Sequence, residues 1–247
     1  FRKKIYYCRQ RGVALFVVIV LVMLSMLLAL WASRSSWFNE ILVGNDADYQ
    51  RTFEAAQSML QDAELDIREQ NSKGGNCEVS SKNSSICRSS TSIRFIDEEK
   101  YLNDLLTSIS DLSKSKCIND YCPQCIEGIC QKRTEKQDFW NDPSALKAML
   151  ADGVGARYGT YTGAKKDEYI NPILIKTSAE EGAWYWVEIM PYDKSKGNLL
   201  ENNSGKKIWE LDLKVPVVYR ITALARGLKP GTQVILQSTF ARQKISD

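Results

Sequence analysis

Cysteine is the residue type in this chain whose spacing could support chemistry. Of the seven cysteines, Cys8 lies near the N-terminus and six lie further along: Cys77, Cys87, Cys117, Cys122, Cys125 and Cys130. If those six reach an oxidising compartment, their even number predicts up to three disulfides. Proximity favours Cys77–Cys87, with the other four pairing among themselves in an order that the sequence does not decide.

Two other interpretations of the C-x4-C-x2-C-x4-C segment stay open. Four thiolates can hold zinc, although such sites usually combine two well-separated close pairs with a reducing compartment. The Cys122-Pro-Gln-Cys125 sequence superficially resembles a thioredoxin-type redox pair, but no strand–helix context of that fold surrounds it. Structural disulfides are therefore the favoured interpretation.

Histidine is absent from the sequence. Its absence excludes His-assisted nucleophilic triads, histidine general bases and histidine metal ligands. Asp138, Asn141 and Asp142 carry oxygen atoms that calcium prefers, but their spacing is not that of an EF-hand loop. We therefore expect no catalytic residue, no metal and no cofactor.

The formal net charge of +3 hides an uneven distribution. Residues 1–12 contain five basic residues and no acid, and residues 13–32 contain no charged residue. The rest of the chain is consequently slightly acidic. Because a nucleic-acid binder needs a basic face, this distribution argues against nucleic acid as a partner.

Residues 13–32 predict a membrane-spanning helix. They read VALFVVIVLVMLSMLLALWA, and a helix of this length spans about 30 Å, the thickness of a bilayer core. A buried core helix would be shorter and striped, and a cleavable secretory signal would have a shorter apolar run and a small-x-small site. The basic residues before the span and only Arg34 soon after it predict a cytoplasmic N-terminus and an exported remainder.

The helix is expected to continue through residues 33–70, because Gly44 is the only residue there that could break it. Apolar residues recur every three or four positions and form one face: Tyr49, Phe53, Ala56, Leu60, Ala63 and Ile67. Charged residues, including Asp48, Asp62 and Asp66, fall off this stripe. Since a free coiled coil needs at least three clean heptads, we expect a single helix that packs its outer half on its own globular domain.

Residues 71–247 predict an α+β domain. A Ser- and Asn-rich loop at 71–90 precedes a helix at 97–112, an irregular loop with the cysteine cluster, and a short helix at 141–151. Extended segments follow at Ile173–Thr177, Trp184–Met190, Ile208–Val215, Val217–Ala225 and Gln233–Phe240, with a hairpin at 227–232. Helices followed by neighbouring strands are typical of an α+β domain with an antiparallel sheet.

Trp184 and Trp186 share one side of their predicted strand. One interpretation makes them an exposed contact, because aromatic residues are enriched at protein interfaces. The other places them in the core beneath the long helix.

A basic segment that ends in Gly12 and is followed directly by the apolar helix resembles the type III prepilin signal of type IV pilins. Further regions resemble the PilX family of minor pilins: residues 11–15, 53–56, 62–64, 219–222 and 234–239. This resemblance covers the first seventy residues and the last thirty. It implies a pilin-like fold, with a leader at 1–12, a transmembrane half-helix at 13–32, a periplasmic half-helix at 33–70 and a disulfide-containing globular domain at 71–247. Gly12 would be the last leader residue and Val13 the first mature residue, N-methylated by the prepilin peptidase.

The chain departs from the pilin pattern at Val17. Most pilins have a glutamate at this fifth mature position, and the usual account pairs it with the charged N-terminus of a neighbouring subunit, because an unpartnered charge in hydrocarbon is costly. A subunit with valine there cannot neutralise the amine of a subunit ahead of it, although it still offers its own amine. Members of the PilX family and the capping pseudopilins of type II secretion are similar in lacking the glutamate. The resemblance therefore implies a position at the filament tip.

The function that the resemblance implies is that of a non-enzymatic minor pilin, which joins a tip or priming complex and promotes assembly, motility and adhesion. The implied partners are other minor pilins, a PilY-type tip adhesin, the major pilin, the inner-membrane pilus assembly platform, the prepilin peptidase and the membrane. The subunit would wait as a single-pass inner-membrane protein and then move to the extracellular pilus tip. A tip pseudopilin of a type II secretion system and a single-span periplasmic protein unrelated to filaments are the alternatives.

Overall fold

The structure is a computed structural model that describes residues 13–76, 86–88, 93–118, 121–134, 137–164, 171–178, 180–192 and 213–243. Cys8, Gly12 and Cys77 lie outside these ranges. The chain divides into two compact units, Phe1–Ala47 and Asp48–Asp247.

Helix α1 runs from Val13 to Ile67 and confirms the prediction of one long helix. The segment contains no proline, and Gly44 does not interrupt it. Residues 48–67 of α1 belong to the second unit. There the helix buries one face on which three alanines, which let the rest of the unit approach closely, alternate with larger apolar residues: Ala55, Ala56, Met59, Ala63 and Ile67.

Two shorter helices flank the cysteine-rich segment, where the sequence predicts them. Helix α2 spans Leu102–Ser113 and buries Leu105 and Ile109. Helix α3 spans Pro143–Met149. The Asp142 side chain caps α3 by accepting hydrogen bonds from the backbone amides of the next turn, at 2.8 and 3.3 Å.

A five-stranded sheet, with its strands in the order β1-β2-β3-β4-β5, forms the centre of the second unit. The strands are Cys125–Ile126, Ile129–Gln131, Gly182–Pro191, Val217–Arg226 and Gln233–Phe240. The three long strands form an antiparallel meander, whereas β2 pairs with β3 in parallel. This antiparallel-rich sheet, together with the long helix, is the predicted α+β layout.

Alternation along β3 divides the buried side chains into two clusters on opposite faces of the sheet. Tyr185 lies in the first cluster, with the buried face of α1, whereas Trp184 and Trp186 lie in the second, with Phe139 and Met149. Trp186 donates its indole N–H to the Met149 carbonyl oxygen at 3.2 Å. Both tryptophans are therefore core residues, and the exposed interpretation is wrong. The interpretation that placed them beneath the long helix is also wrong, because that helix packs on the other face.

The segment predicted as a strand at Ile173–Thr177 is instead a short helix, α4, at Pro172–Ile175. The Asn171 side chain caps this helix by accepting a hydrogen bond from the amide of Ile173 at 3.1 Å, and proline starts its first turn. This local capping outweighs the strand preference of the β-branched side chains.

Two other segments also differ from their predictions. Within Ile208–Val215, residues 208–212 lie outside the described part, and Leu213 forms only an isolated bridge to Gln243. The cysteine cluster is not wholly irregular, because β1 and β2 form a small ribbon in which Cys125 lies opposite Cys130.

Candidate functional site

The first part of α1 is an exposed apolar helix. It begins at Val13, and its large apolar side chains as far as Leu30 are exposed, including Val17 with 47% of its surface accessible. Within the described part of the chain, α1 is the one helix long and apolar enough to cross a membrane. It fits a single-pass membrane anchor.

The exposed apolar surface continues beyond the predicted span, at Trp37, Phe38, Ile41, Leu42 and Val43. The rings of Trp37 and Phe38 are 5.8 Å apart, and the Arg34 guanidinium lies 5.9 Å from the Phe38 ring. From residue 13 to residue 43 the helix is about 45 Å long, whereas a hydrocarbon core is about 30 Å thick. The apolar stretch of the helix is therefore about 15 Å longer than a hydrocarbon core, and either tilt in the bilayer or contact with other apolar helices can cover the surplus.

Three buried carboxylates connect the outer part of α1 to the rest of the second unit, and Asp48 is the first. It accepts hydrogen bonds from the backbone amides of Leu228 at 3.0 Å and Lys229 at 3.2 Å, in the turn between β4 and β5. Burial acts to raise the pKa of Asp48, but hydrogen bonds from Thr232 and the two amides, together with the charge of Arg51, outweigh it. The pKa is therefore lowered.

Asp62 makes the second connection. It accepts hydrogen bonds from the backbone amide of Gly159 at 2.8 Å and from the hydroxyl group of Thr162. Gly159 has a φ of 68°, and a Cβ atom there would collide with the carbonyl oxygen of Ala164. The loop can present its amide to Asp62 in this geometry because the residue is glycine.

Asp66 makes the third connection. It accepts hydrogen bonds from Arg88 through Nε at 2.8 Å and Nη2 at 2.6 Å, and from the Tyr185 hydroxyl at 2.7 Å. Arg88 also donates to the Glu127 carbonyl oxygen at 2.9 Å and lies 3.6 Å from the centre of the Tyr161 ring. Burial acts to lower the pKa of Arg88, but the adjacent Asp66 outweighs it and the pKa is raised. Burial, reinforced by Asp66, raises the pKa of Tyr185 well above its ordinary value.

The sequence analysis placed these aspartates off the apolar stripe of the helix and did not predict that they are buried. Each is 2% exposed. Helix periodicity reports only apolar neighbours, whereas the Asp62 donors lie about 100 positions away and the Asp48 donors about 180. The i, i+4 spacing of Asp62 and Asp66, beside the buried stripe, is the one sequence signal that could have indicated a shared buried face.

The four cysteines of the C-x4-C-x2-C-x4-C segment pair among themselves, Cys117 with Cys122 and Cys125 with Cys130. Cys122 and Cys125 therefore belong to different disulfides and do not form a redox pair. The Cys125–Cys130 disulfide is buried in the second cluster, whereas Cys117 and Cys122 are exposed. Cys87 is also disulfide-bonded, but Cys77, its predicted partner, lies outside the described residues.

The oxygen-bearing residues around α3 have structural partners. Asp142 caps α3, and the Asn141 amide donates to Asp138 at 2.9 Å. Within the described ranges, no group of three or more His, Cys, Asp or Glu residues is arranged to hold a metal ion.

Comparison with protein families relates both ends of the chain to one family. The family model for the C-terminal part of the type IV pilus assembly protein PilX matches residues 126–242. The PilX N-terminal model matches residues 11–61, so the two matches together cover more than half of the chain. The chain belongs to the PilX family. No curated protein and no solved structure matches it.

Membership in the PilX family gives the chain a role in type IV pilus assembly, as a structural pilus protein that associates with other pilus components. The PilX N-terminal match includes Gly12, Val13 and Val17. The PilX C-terminal match begins in β1 and includes β2 to β5. The hydrogen bonds of Asp48 join the two matched regions, since their donors lie in the turn between β4 and β5.

Proposed function

We propose that this chain is a minor pilin at the tip of a type IV pilus. There it joins a priming complex with other minor pilins and a PilY-type adhesin, and it promotes assembly, motility and adhesion. Family membership supports the assembly role. The observation that carries the tip position is Val17, an apolar residue one helical turn after Val13.

The tip position follows from electrostatics in an apolar filament core. With Val13 as the mature N-terminus, its amine is a charge that needs a partner, because an unpartnered charge in hydrocarbon is costly. A subunit with Val17 accepts no such amine from a subunit ahead of it. It can give its own amine to a glutamate-bearing neighbour behind it, so it can end a filament but not continue one.

Processing and location complete the proposal. The prepilin peptidase removes residues 1–12 after Gly12 and methylates Val13, and residues 13–32 then hold the subunit in the inner membrane. The two disulfides between residues 117 and 130 support an exported domain, since such bonds persist in oxidising compartments. Lipid and a bundle of apolar helices are about equally apolar, so the helix can pass from the membrane platform into the filament next to the major pilin without a large hydrophobic barrier.

Immunogold labelling of pili, combined with substitutions near the helix start, tests the tip position. The wild-type chain is expected at one end of each pilus, and Val17→Glu is expected to place label along the shaft, because the new carboxylate can pair with the amine of a subunit ahead. Val18→Glu is the matched control, since its side chain points about 100° away around the helix and should leave the label at the end or abolish incorporation.

Label along the shaft in the wild type, or its absence from purified pili, would contradict the tip position. Mass analysis of the native N-terminus is a separate check, with a mature chain expected to begin at methylated Val13. If deletion of the gene abolishes type II secretion and leaves surface pili intact, the chain serves a secretion pseudopilus instead.

A further inference from the structure

The two edges of the sheet differ in how they are protected. β1 is an edge strand of only two residues, Cys125–Ile126, and a disulfide ties it to β2. β5, Gln233–Phe240, is the opposite edge strand and has eight residues. Among the described residues, no strand pairs with its outer side. Soluble proteins usually keep edge strands short or otherwise protect them, because unpaired backbone groups are a template for another chain.

The register of β5 identifies its outward backbone groups. The hairpin closes with a hydrogen bond from the Gly227 amide to the Thr232 carbonyl oxygen at 2.8 Å, and the pairing with β4 then continues without a bulge. In an antiparallel ladder every second residue bonds to the partner strand. The N–H and C=O groups of Val234, Leu236, Ser238 and Phe240 therefore face β4, whereas those of Ile235, Gln237 and Thr239 face outward.

The sequence of β5 does not protect this edge. The segment QVILQSTF contains no charged residue and no proline, which are the usual means of blocking an edge. Its apolar residues Ile235 and Leu236 lie on opposite faces of the strand and are only partly buried. A strand added beside β5, with apolar residues on both of its faces, would cover Ile235 on one face and Leu236 on the other.

An open pocket of about 800 Å³ lies where β5 ends. It is lined by Arg68, Gln70, Asn76, Lys214, Phe240, Ala241, Arg242 and Gln243. Arg68 lies over the Phe240 ring at 4.9 Å, so its guanidinium is held beside the end of the strand. The pocket thus adds three cations and several amide donors to an edge that has no charge of its own.

In the described ranges, the carboxylates that form ion pairs with these cations are either shared or distant. Asp97 is shared by Lys214 and Arg242, with 3.0 Å to each, and Glu64 approaches Arg68 only to 3.9 Å. Within the described part of the chain, the buried Nη1 atom of Arg242 makes no hydrogen bond of ordinary geometry, although Arg242 lies beside the Tyr219 hydroxyl. Carboxylates form strong, often bidentate hydrogen bonds with a guanidinium and are the anions that an unmodified peptide segment carries, so the pocket favours a further carboxylate.

Among the described residues, Glu69 is a further acid near these cations, since the charges of Arg242 and Lys214 act on it. Burial and the charge of Asp97 raise its pKa, which makes its charged form less favourable.

We propose that β5 is a strand-acceptor edge, on which an extended segment of another protein continues the sheet and places a carboxylate in the pocket at Arg68 and Arg242. The occupant is not a second copy of β5, because the strand and the turn before it contain no acidic residue that could fill the pocket. Backbone bonds provide the affinity in this mode of recognition, and the acid fixes the register. The surface exists wherever the subunit sits, so the proposal is independent of the tip position.

The test uses the full chain in detergent micelles and fluorescent eight-residue peptides of alternating threonine and valine. One peptide ends in glutamate with a free carboxyl group, and the other ends in glutamine amide. The acidic peptide is expected to bind at least tenfold more tightly in fluorescence anisotropy. Its binding is expected to slow hydrogen exchange at the amides of Ile235, Gln237 and Thr239.

Substitutions in and near β5 show whether the peptide binds by pairing with the edge strand or in some other way. Thr239→Pro removes an outward N–H and leaves the bonds to β4 in place, so binding should be lost while the melting temperature changes little. Thr239→Ala keeps the N–H and should bind like the wild type. Arg68→Gln should bring the acidic peptide to the affinity of the amide peptide.

Three results would overturn the proposal. They are no peptide binding at millimolar concentration, binding that Thr239→Pro does not weaken, and a peptide-free dimer in analytical ultracentrifugation that Thr239→Pro dissociates. The last result would assign the edge to a second copy of the chain.

Discussion

At the scale of single residues, the ion pair of Asp66 and Arg88 is the contact whose loss should cost most. Both side chains are almost fully buried, and Asp66→Asn removes the carboxylate that accepts the Nε and Nη2 hydrogen bonds of the guanidinium. We expect the free energy of unfolding to fall by about 3–5 kcal/mol. Urea denaturation of the full chain in detergent micelles, followed by tryptophan fluorescence, measures this change.

Glu64→Gln is the matched control for that substitution. Glu64 lies on the same helix and approaches Arg68 to 3.9 Å, but the Arg68 side chain is 50% exposed and that of Glu64 is 36% exposed. Exposed pairs contribute little, so we expect a loss below about 1 kcal/mol. Equal losses for the two variants would show that the buried pair does not hold the helix to the domain.

The lowered pKa of Asp48 predicts how the free energy of unfolding depends on pH. Because its folded pKa is lowered, its contribution to stability is complete above the unfolded value of about 3.9 and is lost as pH falls through the folded value. Asp48→Asn should therefore cost about 1–2 kcal/mol at pH 7, and the difference from the wild type should shrink below about pH 4. Denaturation between pH 7 and pH 3 measures this trend, with the exposed Asp46→Asn as control. If the difference in unfolding free energy between Asp48→Asn and the wild type stays constant from pH 7 to pH 3, the lowered pKa of Asp48 is contradicted.

At the scale of elements, the two short disulfides form a matched pair. Each joins cysteines five positions apart, so chain entropy assigns each about 2 kcal/mol. Replacing Cys125 and Cys130 by alanine should cost more than replacing Cys117 and Cys122, because only the former pair packs in the second cluster with Trp184 and Trp186.

Unfolding free energies of the two double-alanine variants measure the difference between the disulfides. A second readout is the rate of reduction by dithiothreitol under native conditions, which should be faster for the exposed pair. Equal stability losses together with equal reduction rates would show that burial in the cluster contributes nothing.

The elements that the sequence predicts are those with strong local causes. α1 follows from an apolar run without proline, and β3, β4 and β5 follow from apolar content between turn residues. α4 was missed because two residues, Asn171 and Pro172, decide a four-residue helix against the preference of the residues inside it. The parallel pairing of β2 with β3 joins residues far apart in the chain, so no local pattern reports it.

The features of the candidate site also separate into those with a local cause in the sequence and those that depend on residues far apart in the chain. The exposed apolar helix can be predicted directly from residue types, whereas the importance of Val17 comes only from the resemblance to pilins. The buried aspartates cannot be predicted from residue types, because each carboxylate is satisfied by donors that only the fold brings near, such as the Gly159 amide for Asp62. A buried acid and a surface acid look alike in a helical pattern until their partners are known.

At the scale of the whole molecule, α1 has two different surfaces along its length. The part from Val13 to Val43 exposes large apolar side chains, whereas residues 48–67 bury small apolar residues and carboxylates within their own domain. In the proposed function, the first surface would contact lipid and then neighbouring helices, while the second fixes residues 48–67 to their own domain.

The surplus apolar length of α1 predicts a change in accessibility on assembly. If residues 13–32 span the bilayer, Leu24 lies in hydrocarbon and Leu42 lies about 15 Å beyond it on the exported side. Before assembly, a membrane-impermeant maleimide should label Leu42→Cys but not Leu24→Cys, since both leucines are exposed on the helix and differ in surroundings. In cells that assemble pili, labelling of Leu42→Cys in the pilus fraction should fall, because neighbouring apolar helices then cover it. Labelling of Leu24→Cys would contradict the span, and undiminished labelling of Leu42→Cys in pili would contradict helix packing at this level.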